Sequence, residues 1–243
     1  MRILTLSRRC AKEILRDPVN LGFGLGFPVV LLLLLSAMQS NIPVDMFRIE
    51  SLAPGISVFG LSFLTLFSAT LVAKDRESAL IQRLYTAPIK PYEFILGYML
   101  PLIPIAVGQS IATYLVAAFL GLPISVNIIF AVLMTAPISV FYISVGLLCG
   151  SALGVKQVGG ICGALFTNLS AWLSGVWFDL ALLGGAFEKA ARLLPFVHAV
   201  EIEKMLTKGD INGIYTHILV VLAYALISTV LASLVFLRQM KKH

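Results

Sequence analysis

Six long apolar stretches occupy this 243-residue chain, and no segment between them is large enough to fold as a domain in water. A helix crossing about 30 Å of hydrocarbon needs roughly 20 mostly apolar residues. Runs of that order lie at 21–38, 54–73, 94–120, 128–153, 158–178 and 218–237. Their apolarity is continuous, whereas barrel strands would alternate and be about half as long. Charged residues make up only 12% of the chain, against roughly 25% in a water-soluble domain. The expected fold is an all-α integral membrane protein, a single domain over 1–243 with six transmembrane helices.

The cations are unevenly shared between the two sides that such a fold creates. An even number of spans leaves both termini on one side. That side holds Arg2, Arg8, Arg9, Lys12 and Arg16 before the first run, Lys74, Arg76, Arg83 and Lys90 in the second loop, Lys156 in the fourth, and Arg238, Lys241 and Lys242 in the tail. These are thirteen of the eighteen Lys and Arg; Arg48, Lys189, Arg192, Lys204 and Lys208 fall opposite. Positive residues stay on the cytoplasmic side of short loops, so both termini are expected in the cytoplasm of a multi-pass plasma-membrane protein.

Residues 2–16 read as a helix lying on the membrane. At 100° per residue, Ile3, Leu4, Leu6, Cys10, Ala11, Ile14 and Leu15 share one half of its circumference and the five cations the other. Such a segment lies in the interface with its cations toward anionic lipid. Asp17-Pro18 ends it. The charged leader lacks a small-residue cleavage site, so the first run is expected to be a retained helix and not a signal peptide.

Small residues recur at helix-packing intervals. Gly146, Gly150 and Gly154 are four apart, Gly159 and Gly163 repeat the spacing, and bare backbone of this kind lets membrane helices approach closely. Pro101, Pro104 and Pro137 are expected to bend their spans. Between the last two runs, 187–194 and 196–206 read as two short amphipathic helices broken at Pro195, a pair (186–206) expected to re-enter the outer leaflet. Trp172, Trp177 and Phe178 supply an aromatic belt at that end.

The polar groups inside the runs are neutral: Ser62, Thr65, Ser68, Gln109, Ser110, Asn168 and Ser170. With no acid or base at mid-run, ion-coupled transport and a charged filter are disfavoured. A phosphate-cradling G-x-x-x-x-G-K-[ST] loop is missing, and His198, His217 and His243 form no metal or nucleophile–base set. Cys10, Cys149 and Cys162 have no metal spacing. No catalytic role, metal or bound cofactor is expected of this chain, and no nucleic-acid partner.

The second loop differs from the rest. It opens on Asp75-Arg76-Glu77, continues as a short helix with Leu80, Ile81 and Leu84 on one face, and stops at Pro88 and Pro91. With the six runs and the amphipathic leader, the segment Lys74-Asp75-Arg76-Glu77-Ser78-Ala79-Leu80-Ile81-Gln82-Arg83-Leu84-Tyr85-Thr86-Ala87-Pro88-Ile89 resembles the permease subunits of type-2 ABC exporters. Glu77, Thr86, Pro88, Tyr92, Phe94 and Gly97 match the family's acidic residue, short helix, Thr/Ser-x-Pro turn, aromatic entry and glycine. Leu194-Pro195-Phe196-Val197-His198-Ala199-Val200-Glu201 resembles its Pro-containing stretch before the last span.

The resemblance implies a separate ABC ATPase subunit that binds the ATP and Mg, and a second permease copy or a sister permease. It makes 77–85 the coupling helix that rides on the ATPase, with Arg76, Glu77, Leu80, Arg83, Leu84 and Tyr85 as contacts. The family's central cavity lies between the second and fifth spans of two protomers. There the second run offers Phe59, Phe63 and Phe67 at i, i+4 and i+8, and the fifth offers Phe166, Asn168 and Trp172. An aromatic surface with a few neutral polar groups suits a hydrophobic or amphipathic cargo such as a drug-like molecule, small peptide or lipid. The alternatives are a non-catalytic membrane scaffold and a lipid or glycan exporter.

Overall fold

The computed structural model describes residues 2–41, 47–78, 90–178 and 180–240. Among these there are helices, turns and no strand. Five helical stretches are long and apolar enough to cross a membrane: Leu21–Gln39, Ile49–Glu77, Pro91–Phe119, Val126–Ala152 and Ile214–Gln239. The protein is an all-α integral membrane protein.

The chain opens with α1 (Arg2–Leu15), whose Leu6, Cys10 and Ile14 are buried while Leu4 and Leu15 stay exposed. Proline suits the first position of a helix, because its missing N–H would have no partner there. Accordingly α2 (Pro18–Asn41) starts at Pro18. The next helix, α3 (Ile49–Glu77), is buried almost all round and forms the axis of the bundle. It runs on through Asp75, Arg76 and Glu77. The sequence reading placed Glu77 at the start of a separate coupling helix; instead it closes α3, and Ser78 N–H caps the end on the Lys74 carbonyl at 3.1 Å. The remainder of that predicted segment, including Leu80, Arg83, Leu84 and Tyr85, lies outside the described residues.

The third apolar run folds as two helices, α4 (Pro91–Met99) and α5 (Leu102–Phe119), parted at Leu100-Pro101. Pro101 has no N–H to give to the helical ladder, so the break falls where the sequence predicts a bend. In contrast α6 (Val126–Ala152) continues through Pro137. The fifth run departs further from expectation. Its helix spans α7 (Val155–Val158), a wide π segment (Gly159–Phe166) and α8 (Thr167–Leu173), and it stops five residues short of Phe178. Gly159, Gly160 and Gly163 crowd the π segment, where the backbone has the least side-chain support for a regular helix. The end is set at Gly175, whose φ of +70° no regular helix accepts.

A short α9 (Leu180–Leu183) leads to α10 (Gly185–Leu193) and α11 (Pro195–Lys208), broken at Leu194-Pro195 and capped by Gly209 at φ +75°. The last helix, α12 (Ile214–Met240), lies at the periphery, as does α2; both keep most of their surface outside the bundle.

The core is the seam between α3 and α6. A Cβ on Gly146 would overlap the Ser68 hydroxyl and the Thr65 carbonyl, and one on Gly150 would stand 2.9 Å from the Ala69 Cα. The close approach is used: Thr65 Oγ1 donates to the Tyr142 carbonyl at 2.8 Å and Ser68 Oγ to that of Ile143 at 3.1 Å. Without a hydrophobic drive between helices in lipid, such contacts and small-residue packing hold the pair. The other glycines of the predicted packing set are less confined. Gly163 makes ordinary contact with Leu66, Gly154 leads into α7, and Gly159 has open space beside it.

Candidate functional site at the ends of alpha3 and alpha6

The end of the bundle where the chain begins and finishes is organised around Asp75. Ser68, Leu71, Val72 and Asp75 follow i, i+3, i+4, i+7 spacing, so the carboxylate takes a position that the helix buries. It is 3% exposed. A buried carboxylate is strongly disfavoured unless it is paired and hydrogen-bonded. Here α1 supplies the partner: Arg9 Nη1 donates to Asp75 Oδ2 at 2.5 Å and Nη2 to Oδ1 at 2.6 Å. Bidentate pairing fixes orientation as well as charge. A third donor arrives from α4, whose Tyr98 hydroxyl lies 2.5 Å from Oδ2.

Three elements therefore meet on one carboxylate. Leu6 of α1 seats against Gly97 of α4, where an added Cβ would come within 2.6 Å of Leu6 Cδ2. The Phe94 ring stacks on Phe236 of α12 at 3.7 Å between centroids. Asp75 holds the Arg9 guanidinium above its ordinary range, and burial followed by the Asp75 charge raises the Glu13 carboxyl. Arg9 also pairs with Glu13 at 2.8 Å, one helical turn on. Lys74 and Asp17 face each other at 3.8 Å.

The next two residues bind the corner between α6 and α7. Arg76 Nη1 donates to the carbonyls of Gly150 at 3.0 Å and Leu153 at 3.1 Å, which α6 leaves without helical partners at its C-terminus. Glu77 Oε1 accepts from the Val155 N–H at 3.0 Å at the start of α7. Arg76 and Glu77, two of the six predicted ATPase contacts, are thus engaged within the chain at the end of α3.

The predicted cargo-path residues fall into separate environments. Phe59 and Phe63 meet edge-on at 5.9 Å; Phe59 continues to Trp177 at 5.7 Å and Phe63 to Phe27 of α2 at 5.2 Å. Phe67 is buried against Gly24 of α2. Phe166 packs with Tyr142 and Phe196. Asn168 is exposed and bonds the Ala164 carbonyl of its own helix, and Trp172 is 57% exposed. Within one copy of the chain the aromatic stripe of α3 is covered, and the open positions are on α8.

Two buried acids have no role in the sequence reading. Asp75 opens the predicted second loop, and the structure instead places it in the last turn of α3. Glu203 lies outside the six runs, so the expectation of neutral polar groups inside the runs does not reach it; α11 carries it fully buried against α5 and α6. Helical periodicity marks it. Phe196, Ala199, Val200 and Glu203 follow i, i+3, i+4, i+7, a buried stripe ending in an acid.

The sequence profile of the ABC-2 type transporter family matches residues 1–203. Comparison with curated proteins finds no match. The matched region covers most of the chain, and the chain belongs to the ABC-2 type transporter family as a membrane component.

Proposed function

We propose that this ABC-2 membrane component is the permease subunit of an ATP-driven exporter in the plasma membrane, with both termini in the cytoplasm. The chain offers no phosphate-binding loop of its own, so the energy comes from a separate ABC ATPase subunit that binds ATP and Mg. Two permeases, identical or sister chains, pair with two such ATPases. The predicted coupling helix that follows α3 rides on the ATPase through Leu80, Arg83, Leu84 and Tyr85. Arg76 and Glu77 hold its root against the α6–α7 corner.

The observation that carries this reading is the Asp75 node. A loop of about a dozen residues can drive a bundle only if its root is rigidly joined to the helices that must move. Asp75 joins the end of α3 to α1 and α4 through three hydrogen bonds, and Arg76 adds α6. A push on the loop therefore reaches four helices at once, and rigid-body shifts of packed helices are the usual way such a push becomes a change of access. The cargo is hydrophobic or amphipathic, because the exposed surface of the π segment and α8 presents Leu165, Leu169 and Trp172 with Asn168 as a polar group. In a dimer these face the other copy.

The test is co-purification of the tagged chain with a co-expressed ABC ATPase subunit. Arg83→Glu with Tyr85→Ala should abolish recovery of the ATPase while the permease still elutes as a single folded species. Recovery of the ATPase at the unmodified level would remove the loop from the interface.

A further inference from the structure

Glu203 is the one fully buried acid among the described residues that no cation accompanies: Lys204, its neighbour, pairs with Glu201 at 3.7 Å. Its partners are hydroxyls. Tyr114 of α5 donates to Oε2 at 2.8 Å and Thr135 of α6 to Oε1 at 2.9 Å. Behind Thr135 stands Ser110 at 3.0 Å, and behind Ser110 stands Ser57 of α3 at 3.0 Å. Gln109 donates to the Ser57 carbonyl at 3.2 Å while its Oε1 is buried without a partner.

The depth of this cluster is informative. Thr135 is the tenth residue of α6 and Ser57 the ninth of α3, which puts them about 12–14 Å inside the ends of those helices at 1.5 Å per residue. So α11 reaches well into the bundle, and the acid at its inner face is what it inserts. The other titratable groups around the cluster are Tyr114 and Tyr142. From α3 and α8 come only hydroxyls, Ser57 and Ser170. The His217 of α12 is bonded to His198 at 2.8 Å, one end of α11 away, and the Glu188–Arg192 pair of α10 faces outward.

An acid that is dry and cation-free in one position, and hydrated in another, must exchange a proton when it moves between them. We propose that Glu203 is a proton-binding latch: as the neutral acid it holds α11 among α3, α5 and α6, and transfer of its proton to water, leaving the carboxylate, accompanies release of α11. Burial raises this carboxyl to about 7, with the Tyr114, Thr135 and Ser57 hydroxyls acting in the opposite sense. The latch therefore tightens on the acid side of neutrality and loosens on the alkaline side. Nothing in this inference depends on the cargo or on the ATPase, so it stands or falls separately from the exporter reading.

The experiment uses the purified chain in lipid nanodiscs. Dicyclohexylcarbodiimide labels protonated carboxyls in apolar surroundings, and mass spectrometry should find its adduct on Glu203, roughly thirtyfold more at pH 6 than at pH 8.5 for a group titrating at about 7. Amide exchange of 196–206, corrected for intrinsic rates, should be about tenfold faster at pH 8.5 than at pH 6 by the same linkage. Glu203→Gln should remove both effects. Tyr114→Phe, which takes away a donor to the carboxylate, should move the midpoint to higher pH even if Glu203→Gln fails to fold. Absence of the adduct, pH-independent exchange in the unmodified chain, or an unmoved midpoint in Tyr114→Phe would each overturn the proposal.

Discussion

Asp75 and Glu203 are both buried acids, one at each end of the bundle, and they are solved in opposite ways. Asp75 receives a guanidinium in bidentate geometry plus a tyrosine hydroxyl, so its charge is compensated where it stands. Glu203 receives a tyrosine and a threonine hydroxyl and, among the described residues, no cation. A paired carboxylate works as a fixed joint, because removing either partner leaves a buried charge. A carboxyl held only by hydroxyls can relieve its burial by keeping its proton, which makes its state depend on pH. The two ends of one membrane protein thus differ in kind: the end near the termini is braced, and the far end can let go.

The largest expected effect concerns the unpaired acid. With its folded value raised to about 7 from an ordinary 4.5, the folded state binds the proton more tightly than the unfolded one. Stability should accordingly fall by about 3 kcal/mol as pH rises from 4.5 to 7 and level off above that. In Glu203→Gln this slope should vanish, leaving the variant more stable than the parent at pH 8. Thermal unfolding in detergent across that range reads both. A slope of the opposite sign would mean that Glu203 is ionised in its pocket.

Next comes the paired acid. Arg9→Ala strands the Asp75 carboxylate and should cost about 2 kcal/mol, less than a wholly buried pair because the guanidinium is itself partly hydrated. Equilibrium unfolding measures the loss, and an Arg9→Ala variant as stable as the unmodified chain would erase the distinction drawn between the two sites.

Smaller changes test the seam that ties the two ends together. Gly150→Ala sets a methyl group against the Ala69 backbone, which cannot move aside as a side chain would, and should cost about 1–2 kcal/mol. Thr65→Val removes only the hydroxyl bonded to the Tyr142 carbonyl and should cost about 0.6 kcal/mol, an average value for one hydrogen bond between membrane helices. Equilibrium unfolding measures both; equal losses would mean that α3 and α6 are not in tight contact at Gly150.

Much of this architecture was legible because the bilayer enforces long, continuous apolar helices, and these leave a strong trace in sequence. The break at Pro101 followed from a missing donor, and that at Pro195 from the same chemistry. The trace fails where backbone geometry replaces composition. Residues 174–178 remain apolar although Gly175 has already turned the chain, and the π segment at Gly159–Phe166 looks like any other apolar run. The two buried acids were hidden for another reason. Each sits on a helix among polar neighbours, where its own charge argues for solvent, and only the phase of the surrounding apolar residues places it inside. Arg9 carried no signal at all, since its partner lies 66 residues away.

The claim that matters most is that motion of the ATPase enters the bundle through the braced end. Its most direct measurement is ATP hydrolysis by the permease–ATPase complex in proteoliposomes, with Asp75→Asn compared to the unmodified chain. The asparagine can still accept from Tyr98 but no longer anchors Arg9 as an ion pair. The account predicts that the ATPase remains bound while hydrolysis drops to the rate of the ATPase alone. Hydrolysis by Asp75→Asn at the full stimulated rate would contradict it.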